Sequence, residues 1–408
     1  MKNYKGAFYS TLLTLVIIST TFAFVLLHEP KETNLITSDD IGEESKVNEF
    51  NLMNVNEVQS TQEDRIPINN QIFNSRKNII TETVAEVSSA VVGVNVTAIR
   101  TYRDPWSADP FFRRFFGDRI YKQEVQSLGS GAIISPDGYI ISNDHVAGNA
   151  EKVIVTMTDG TRHEAEVVGS DKISDICLLK IDGSNLPYIK LGDSETVMIG
   201  EWAIALGNPF GLFQINDKPT VTVGVVSAMD MNLGETEGRF YLDMIQTDAA
   251  INSGNSGGPL LNSLGEMIGM NTIIYTAGGS SGSVGVGFAI PINKVKRIVA
   301  DLKEFGVYDR NFWTGLKIQT LDEGLAKYYN LDNTKGVIIT EIYDDSPAET
   351  SGLKVGDIIT WVNKFRINDY NSLISVLYEF KTGDNIKIKV IRDKKEITIN
   401  MLLEKRND

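Results

Sequence analysis

The sequence predicts a mainly β chain: two β-barrels forming one large domain, a smaller β-rich module after it, and an apolar helix ahead of both. Three observations carry this. Short apolar or alternating runs such as "VVGVNVTAI", "KVIVTM" and "EAEVVG" recur between Gly, Asp and Pro turns, the texture of paired barrels. A length of 408 residues leaves room for two or three domains. The first segment, "MKNYKGAFYSTLLTLVIISTTFAFVLLHEP", is apolar without interruption by charge from Gly6 to Leu27.

That apolar run is long enough to cross a bilayer core of about 30 Å as a helix. Lys2 and Lys5 precede it, which predicts the N-terminus inside and everything beyond it exported. Residues 1–28 therefore read as a retained signal-anchor, a transmembrane helix with the rest of the chain on the far side of the membrane. The rival is a cleaved signal peptide, but the run exceeds the usual ~7–15-residue h-region and no clear small-x-small site follows. Residues 29–78 form an acidic linker: between Glu29 and Asn70 ten Asp or Glu face three Lys or Arg, with Phe50 the one aromatic residue. Such a segment cannot bury a core, and as a flexible coil it spans on the order of 35 Å.

The formal net charge of -14 argues against a nucleic-acid partner, since phosphate contacts need clustered Lys and Arg. A single cysteine, Cys177, excludes an intrachain disulfide and reads as a packed thiol in a buried strand.

Residues 79–308 make the large domain. Within it, "GSGAIISPDGYIISNDHVAGNA" joins two strand-like runs through Pro136-Asp137-Gly138, a turn with a clear mechanism, and places His145 at the end of a strand. His28 and His163 are the other histidines, one at the end of the apolar segment and one on a solvated strand after Thr158-Asp159-Gly160. In "GSDKISDICLLKI", Asp175 precedes the apolar run Ile176 to Leu179, so its carboxylate sits at the rim of a core and needs a partner. Asp171 is its competitor. In "TDAAINSGNSGGPLLN", Ser256 stands among glycines, either as part of an ordinary turn or as a nucleophile.

The segments "SNDHVAG", "SDICLLKI", "ALGNPFGL" and "TDAAINSGNSGGPLLN" together resemble the HtrA/Deg family of serine endoproteases, over about Ile79 to the C-terminus. The resemblance implies a chymotrypsin-like double β-barrel followed by a PDZ domain. It assigns Ser256 as nucleophile, His145 as base and Asp175 as the orienting acid, with an oxyanion hole of Gly254, Asn255 and Ser256: the Gly254 and Ser256 amides donate and Asn255 shapes the turn. It places Ile251 and Ile274 at the specificity pocket, where they favour a small aliphatic P1 residue; for both, ordinary core packing is the alternative. No metal and no cofactor is implied.

Several departures and loops follow. Ser253 stands where relatives often have Pro or Arg, and "HVAG" replaces His-Val-Val. "VVSAMDMNLGETEGRF" resembles the loop that reports PDZ occupancy, but Met231 stands where many relatives carry arginine, leaving Arg239 or another route for the relay. The aromatic "DPWSADPFFRRFFGDR" resembles a long protease loop near subunit contacts and implies a homotrimer; a helix packed on its own domain is the alternative. "TAGGSSGSVGVGFAIP" lacks a Gly-Lys-Ser/Thr and reads as a flexible loop beside the pocket rather than a phosphate cradle. Val295, Ile298, Val299 and Leu302 form a helical stripe that ends at Gly306.

Residues 309–408 make the second module. Its "SPAETSGLKVGD" run is similar to a bacterial PDZ domain, in which an extended peptide adds to a sheet edge and its terminal carboxylate meets backbone amides. Thr314, Gly315 and Leu316 match the carboxylate-binding loop, and Leu316 and Ile318, facing Leu373 and Leu377, form the apolar pocket, with plain core packing the alternative for each of those leucines. The resemblance as a whole implies a membrane-tethered endoprotease facing the periplasm. Its substrates are unfolded proteins or a membrane regulator, and C-terminal peptides at the PDZ domain gate it. A peptide-binding scaffold or holdase chaperone with a resting triad is the competing function.

Overall fold

The computed structural model describes residues 76–103, 120–208, 217–252, 254–274 and 283–406. The chain divides into two units, Met1–Ile68 and Asn69–Asp408, and the described residues all belong to the second. The predicted anchor helix and most of the acidic linker therefore lie outside the described residues, as do the aromatic loop 104–119 and the glycine-rich stretch 275–282. Among the described residues no helix is long and apolar enough to cross a membrane.

An N-terminal helix α1 (Ile79–Val87) is closed by an Asn78–Thr81 capping box. It leads into a first closed barrel of β1 (Val91–Arg103), β2 (Ile120–Ile133), β3 (Tyr139–Ser142), β4 (Lys152–Thr156), β5 (Arg162–Asp171) and β6 (Ile176–Ile181), in the order β1-β2-β3-β6-β5-β4. All ladders are antiparallel. Closure suits these sequences because it leaves no free edge, and both faces of β3 and β6 are covered, with Ile140, Ile141, Ile176, Leu178 and Leu179 all fully buried. The turn that links β2 to β3 uses Gly138 at φ +96°, where a Cβ would lie 2.4 Å from the Ile181 carbonyl. Only glycine fits there.

A second closed barrel follows, with β7 (Trp202–Gly207) and β8 (Thr220–Met231) leading to a projecting hairpin of β9 (Gly234–Thr236) and β10 (Arg239–Tyr241). It is completed by β11 (Met244–Thr247), β12 (Pro259–Leu261), β13 (Met267–Ile274) and β14 (Gly287–Pro291), in the order β11-β14-β13-β12-β7-β8. Helix α3 (Ile292–Phe305) leaves this barrel, after the one-turn helix α2 (Asp144–Ala147) of the first. The predicted stripe of α3 is buried, and the helix ends on Gly306 in the left-handed region, φ +72°.

The last module packs α4 (Glu323–Tyr328), α5 (Pro347–Thr350) and α6 (Tyr370–Leu377) on a sheet ordered β15-β16-β17-β19-β20. Its strands are β15 (Leu316–Thr320), β16 (Val337–Ile342), β17 (Ile358–Val362), β18 (Phe365–Arg366, paired to β17), β19 (Asn385–Arg392) and β20 (Lys395–Leu402). It has its own core, including Val337, Ile359, Leu373, Val376 and Ile388. Polar bonds fasten it to the barrels: Lys294 to Glu379, Lys381 to Asp301 (2.5 Å), and Arg310 to Asp171 (2.5 Å).

Candidate active site

His145 sits on α2, one turn of helix directly after β3, rather than at the end of the strand itself. The correction is local: Asn143 is extended (φ -81°, ψ 150°) and ends the ladder, and Asp144 begins the helical turn. Asp175 follows a turn from β5 into β6 and adopts φ +60°, an uncommon conformation that Asp tolerates better than most residues. This strained turn aims its carboxylate back across the barrel rim, where it is fully buried. Its Oδ2 lies 2.8 Å from His145 Nδ1, and its Oδ1 accepts the His145 backbone N–H at 2.9 Å.

Three further donors converge on this carboxylate: Thr272 Oγ1 at 2.8 Å, Tyr241 OH at 3.1 Å and Arg239 Nε at 3.2 Å. Burial alone would raise the Asp175 pKa, but the hydrogen bonds and charge of His145, helped by Thr272, hold it below the usual carboxylate range. Tyr241 responds in the opposite sense. Burial first, and then the Asp175 charge, push its phenol well up. The competitor Asp171 has another role, because it accepts from Ser174 N–H at 3.1 Å and pairs with Arg310.

Ser256 lies half-buried in a turn between β11 and β12. The glycines around it are required by geometry. Gly257 has φ +83°, and a Cβ there would fall 2.2 Å from the Ser130 carbonyl; Gly254 has φ +101°. Ser130, in the Gly-Ser-Gly of β2, holds this turn from outside: its N–H donates to the Ser256 carbonyl at 2.9 Å and its Oγ to the Gly254 carbonyl at 2.5 Å. The Asn255 amide donates to Asn252 O at 3.0 Å, so Asn255 closes the turn. Among the described residues, neither the Gly254 nor the Ser256 amide donates a hydrogen bond, and both are left for a ligand.

His145 and Asp175 are thus brought together, while Ser256 is not hydrogen-bonded to His145. Its Oγ donates to the Thr272 carbonyl at 3.0 Å. A serine bonded in this way keeps its proton away from the imidazole. Ile251 is 1% exposed and packs in the second barrel's core with Ala249, Leu260 and Ala289. It also lines Gly287, whose added Cβ would lie 2.6 Å from Ile251 Cγ1. Ile274 ends β13, with its side chain outside the described residues.

In the last module, Gly315 has φ +72°, and a Cβ there would be 2.1 Å from Ser346 Cβ, so the loop Thr314–Leu316 can only be built on glycine. Leu316 and Ile318 on β15 are half-buried against the core that contains Leu373, with Leu377 packed beside it.

Sequence reasoning missed Ser130, Thr272 and Tyr241. The Gly-Ser-Gly of β2 was a signal for the first, but nothing local marks the other two, which reach the site from a distant strand and hairpin.

A buried aspartate bonded to a solvent-reaching histidine, a glycine-bound serine whose neighbouring Gly254 and Ser256 amides have no acceptor among the described residues, and a separate small sheet domain define a trypsin-like serine peptidase carrying a PDZ domain. Family models agree, with a trypsin-like peptidase domain matching residues 129–270 and a PDZ domain matching 317–403. A "Probable periplasmic serine endoprotease DegP-like" of Pseudomonas putida (strain W619) is 38% identical over 343 residues, covering 79% of this chain and 69% of that protein. The protein of the same description from Chlamydia pneumoniae is 41% identical over 304 residues, 73% of this chain and 60% of that one. Among solved structures, "HtrA-type protease AlgW with decapeptide" aligns with a TM-score of 0.59 at 35% identity, over 81% of this chain and 99% of that one. The serine endoprotease from Yersinia pestis aligns with a TM-score of 0.52 at 30% identity, over 81% and 99%. The chain belongs to the HtrA family of serine endoproteases.

Proposed function

We propose that this protein is a membrane-tethered, periplasm-facing endoprotease that cleaves unfolded or regulatory proteins and is gated by C-terminal peptides bound to its PDZ domain. Ser256 Oγ attacks the scissile carbonyl, His145 takes the proton and returns it to the leaving amine, and Asp175 holds the imidazole tautomer. The Gly254 and Ser256 amides receive the developing oxyanion, a contribution of about 3 kcal/mol for each donor. Ile274 restricts the P1 pocket to small aliphatic side chains, and Ile251, packed in the core of the second barrel, supports that wall from behind. Thr314, Gly315, Leu316 and Ile318 receive the peptide terminus.

The observation that carries this reading is the buried Asp175 carboxylate, 2.8 Å from His145 Nδ1, beside a serine turn whose Gly254 and Ser256 amides have no acceptor among the described residues. Relatives described as periplasmic, and a neighbour solved with a decapeptide, support the location and the gating. Lys2 and Lys5 ahead of the apolar run support the tether, and the aromatic segment 104–119 supports a homotrimer.

The bond from Ser256 to Thr272 favours a second reading, a resting protein that acts as scaffold or holdase until something rotates the serine. Cleavage of β-casein by the full chain, with and without peptides ending in apolar carboxylates, separates the two. Cleavage that needs peptide and is lost in Ser256→Ala supports the gated protease. Peptide binding and suppression of aggregation, with no cleavage under either condition, would leave the scaffold.

A further inference from the structure

The donors on Asp175 exceed what an orienting aspartate needs, and one of them is a cation. A carboxylate in this position works by keeping its negative charge for the imidazolium that forms beside it. Arg239 Nε lies 3.2 Å from Oδ1, the oxygen that also accepts the His145 backbone N–H, and so competes for that charge. The guanidinium is itself well anchored. It is 11% exposed, its second nitrogen bonds Asp144 Oδ2 at 2.9 Å, and Glu237 lies 3.8 Å away at its outer edge. Burial works against its charge, but Asp175 and Asp144 outweigh burial and hold the proton more firmly.

What keeps Arg239 in place is the alternation of a short strand. Successive residues of β10 point to opposite faces. Arg239 and Tyr241 reach Asp175 from one face. Phe240 and Leu242 go the other way: the Phe240 ring sits 4.5 Å from that of Tyr378, and Leu242 is buried in the PDZ core with Leu373 and Val376. The backbone joins in as well, because Phe240 N–H donates to Ile173 O at 2.8 Å, two residues before Asp175. A segment of four residues thus touches the orienting carboxylate, the turn that carries it and the neighbouring domain.

We infer that Arg239 is a positioning residue that sets the charge His145 meets at Asp175, and that packing of Phe240 and Leu242 on the PDZ domain holds it there. This rests on the protease reading given above. The titratable and charged groups around the pair are Arg239, Tyr241, Asp144 and Cys177, with Glu237 beyond Arg239, Asp171 and Lys172 on the same turn, and the Lys172 ammonium reaching Gly238 of the hairpin. Asp144, Tyr241, Arg239 and Asp175 meet in one buried cluster, so removing the guanidinium takes from both carboxylates the cation that bonds them, beside the imidazole. The protonated base is then favoured, and activity begins at higher pH.

The test is the pH dependence of kcat/KM for the full chain with a fluorogenic peptide, with Ser256→Ala as the blank. In Arg239→Gln the acidic limb is expected to move up by about one pH unit. In Arg239→Lys the charge remains, so the limb stays in place while kcat falls several-fold, because an ammonium cannot bridge both carboxylates. In Phe240→Ala, which touches neither His145 nor Asp175, the limb moves in the same direction by less. An unmoved limb in Arg239→Gln, with only rate or melting temperature reduced, would show a merely structural role and overturn the inference. An unmoved limb in Phe240→Ala, where the protein still melts cooperatively, would overturn its second half. Cleavage that survives Ser256→Ala would instead sink the protease reading itself, and the inference with it.

Discussion

Arg310 Nη1 lies 2.5 Å from Asp171 Oδ1, and each side chain is 8% exposed. Arg310 belongs to the segment that leads from the barrels into the PDZ domain, and its Nε also donates to the Tyr378 carbonyl at 2.7 Å. Asp171 in turn accepts from Ser174, next to Asp175. One side chain therefore fastens the PDZ domain to the turn that presents the catalytic carboxylate.

Removing one member of this pair is expected to cost far more than removing both. Arg310→Met leaves the Asp171 charge buried without its cation, a loss of about 3–5 kcal/mol. The double variant Arg310→Met with Asp171→Asn keeps the turn's acceptor for Ser174 and should recover most of that loss. Urea denaturation of the four proteins of this cycle measures the coupling. Additive losses would show that the pair contributes nothing specific.

Ser130 is expected to matter for rate more than for binding. Its Oγ donates to the Gly254 carbonyl and accepts the Asn208 amide at 2.7 Å, so Ser130→Ala strips partners from two buried backbone groups. The peptide plane that positions the oxyanion amides loses its external clamp. A fall in kcat of about 10–100-fold with KM little changed is the expected pattern, since the interaction forms only as charge develops. A raised KM with kcat unchanged would place Ser130 in substrate binding instead.

Asp243 gives the protein a pH dependence unrelated to catalysis. Burial, and then a hydrogen bond with Asp230, raise its pKa to about 6, against the pull of Lys364 at 2.7 Å. The folded state therefore binds more protons than the unfolded one between about pH 4 and 6, and stability falls as pH rises through that window. Above it the penalty is complete. Asp243→Asn removes the titrating group and should raise the melting temperature at pH 7.5, with the gain fading by pH 4. A gain that persists unchanged at pH 4 would show that the charge is not its source.

The sequence marked His145, Asp175 and Ser256 as candidates, and the resemblance to the HtrA/Deg family, rather than composition, gave them roles; the structure brings His145 and Asp175 within 2.8 Å and leaves Ser256 bonded to Thr272. Three histidines leave few candidates, an aspartate before a buried strand needs a partner, and positive-φ glycines mark a forced turn. The helical stripe ending at Gly306 and the thiol of Cys177 were legible from period and composition alone. What could not be read is whatever depends on two distant segments meeting. Arg239 reaches Asp175 only because β10 alternates over the PDZ surface, and Asp171 was separated from Asp175 only by Arg310, which is 139 residues away. Ile251 shows the same limit from the other side. Its branched side chain suits a pocket wall or a core equally, and the structure buries it among core residues that no local pattern identifies.

Cys177 tests the packing of the first barrel directly. Its thiol is fully buried on β6, and burial, the largest influence, pushes its pKa up to about 12. The thiolate is the reactive species, so native protein at pH 8 should give no labelling by a disulfide-exchange reagent over hours. In denaturant one thiol per chain should react at the ordinary rate. Because access requires the barrel to open, the slow native rate reports opening of the β3-β6-β5 region rather than of the PDZ sheet. Arg310→Met, which loosens the turn between β5 and β6, is expected to speed labelling, whereas Gly315→Ala, a strained change confined to the PDZ loop, is not. Rapid labelling of the native wild-type protein would contradict the closed barrel.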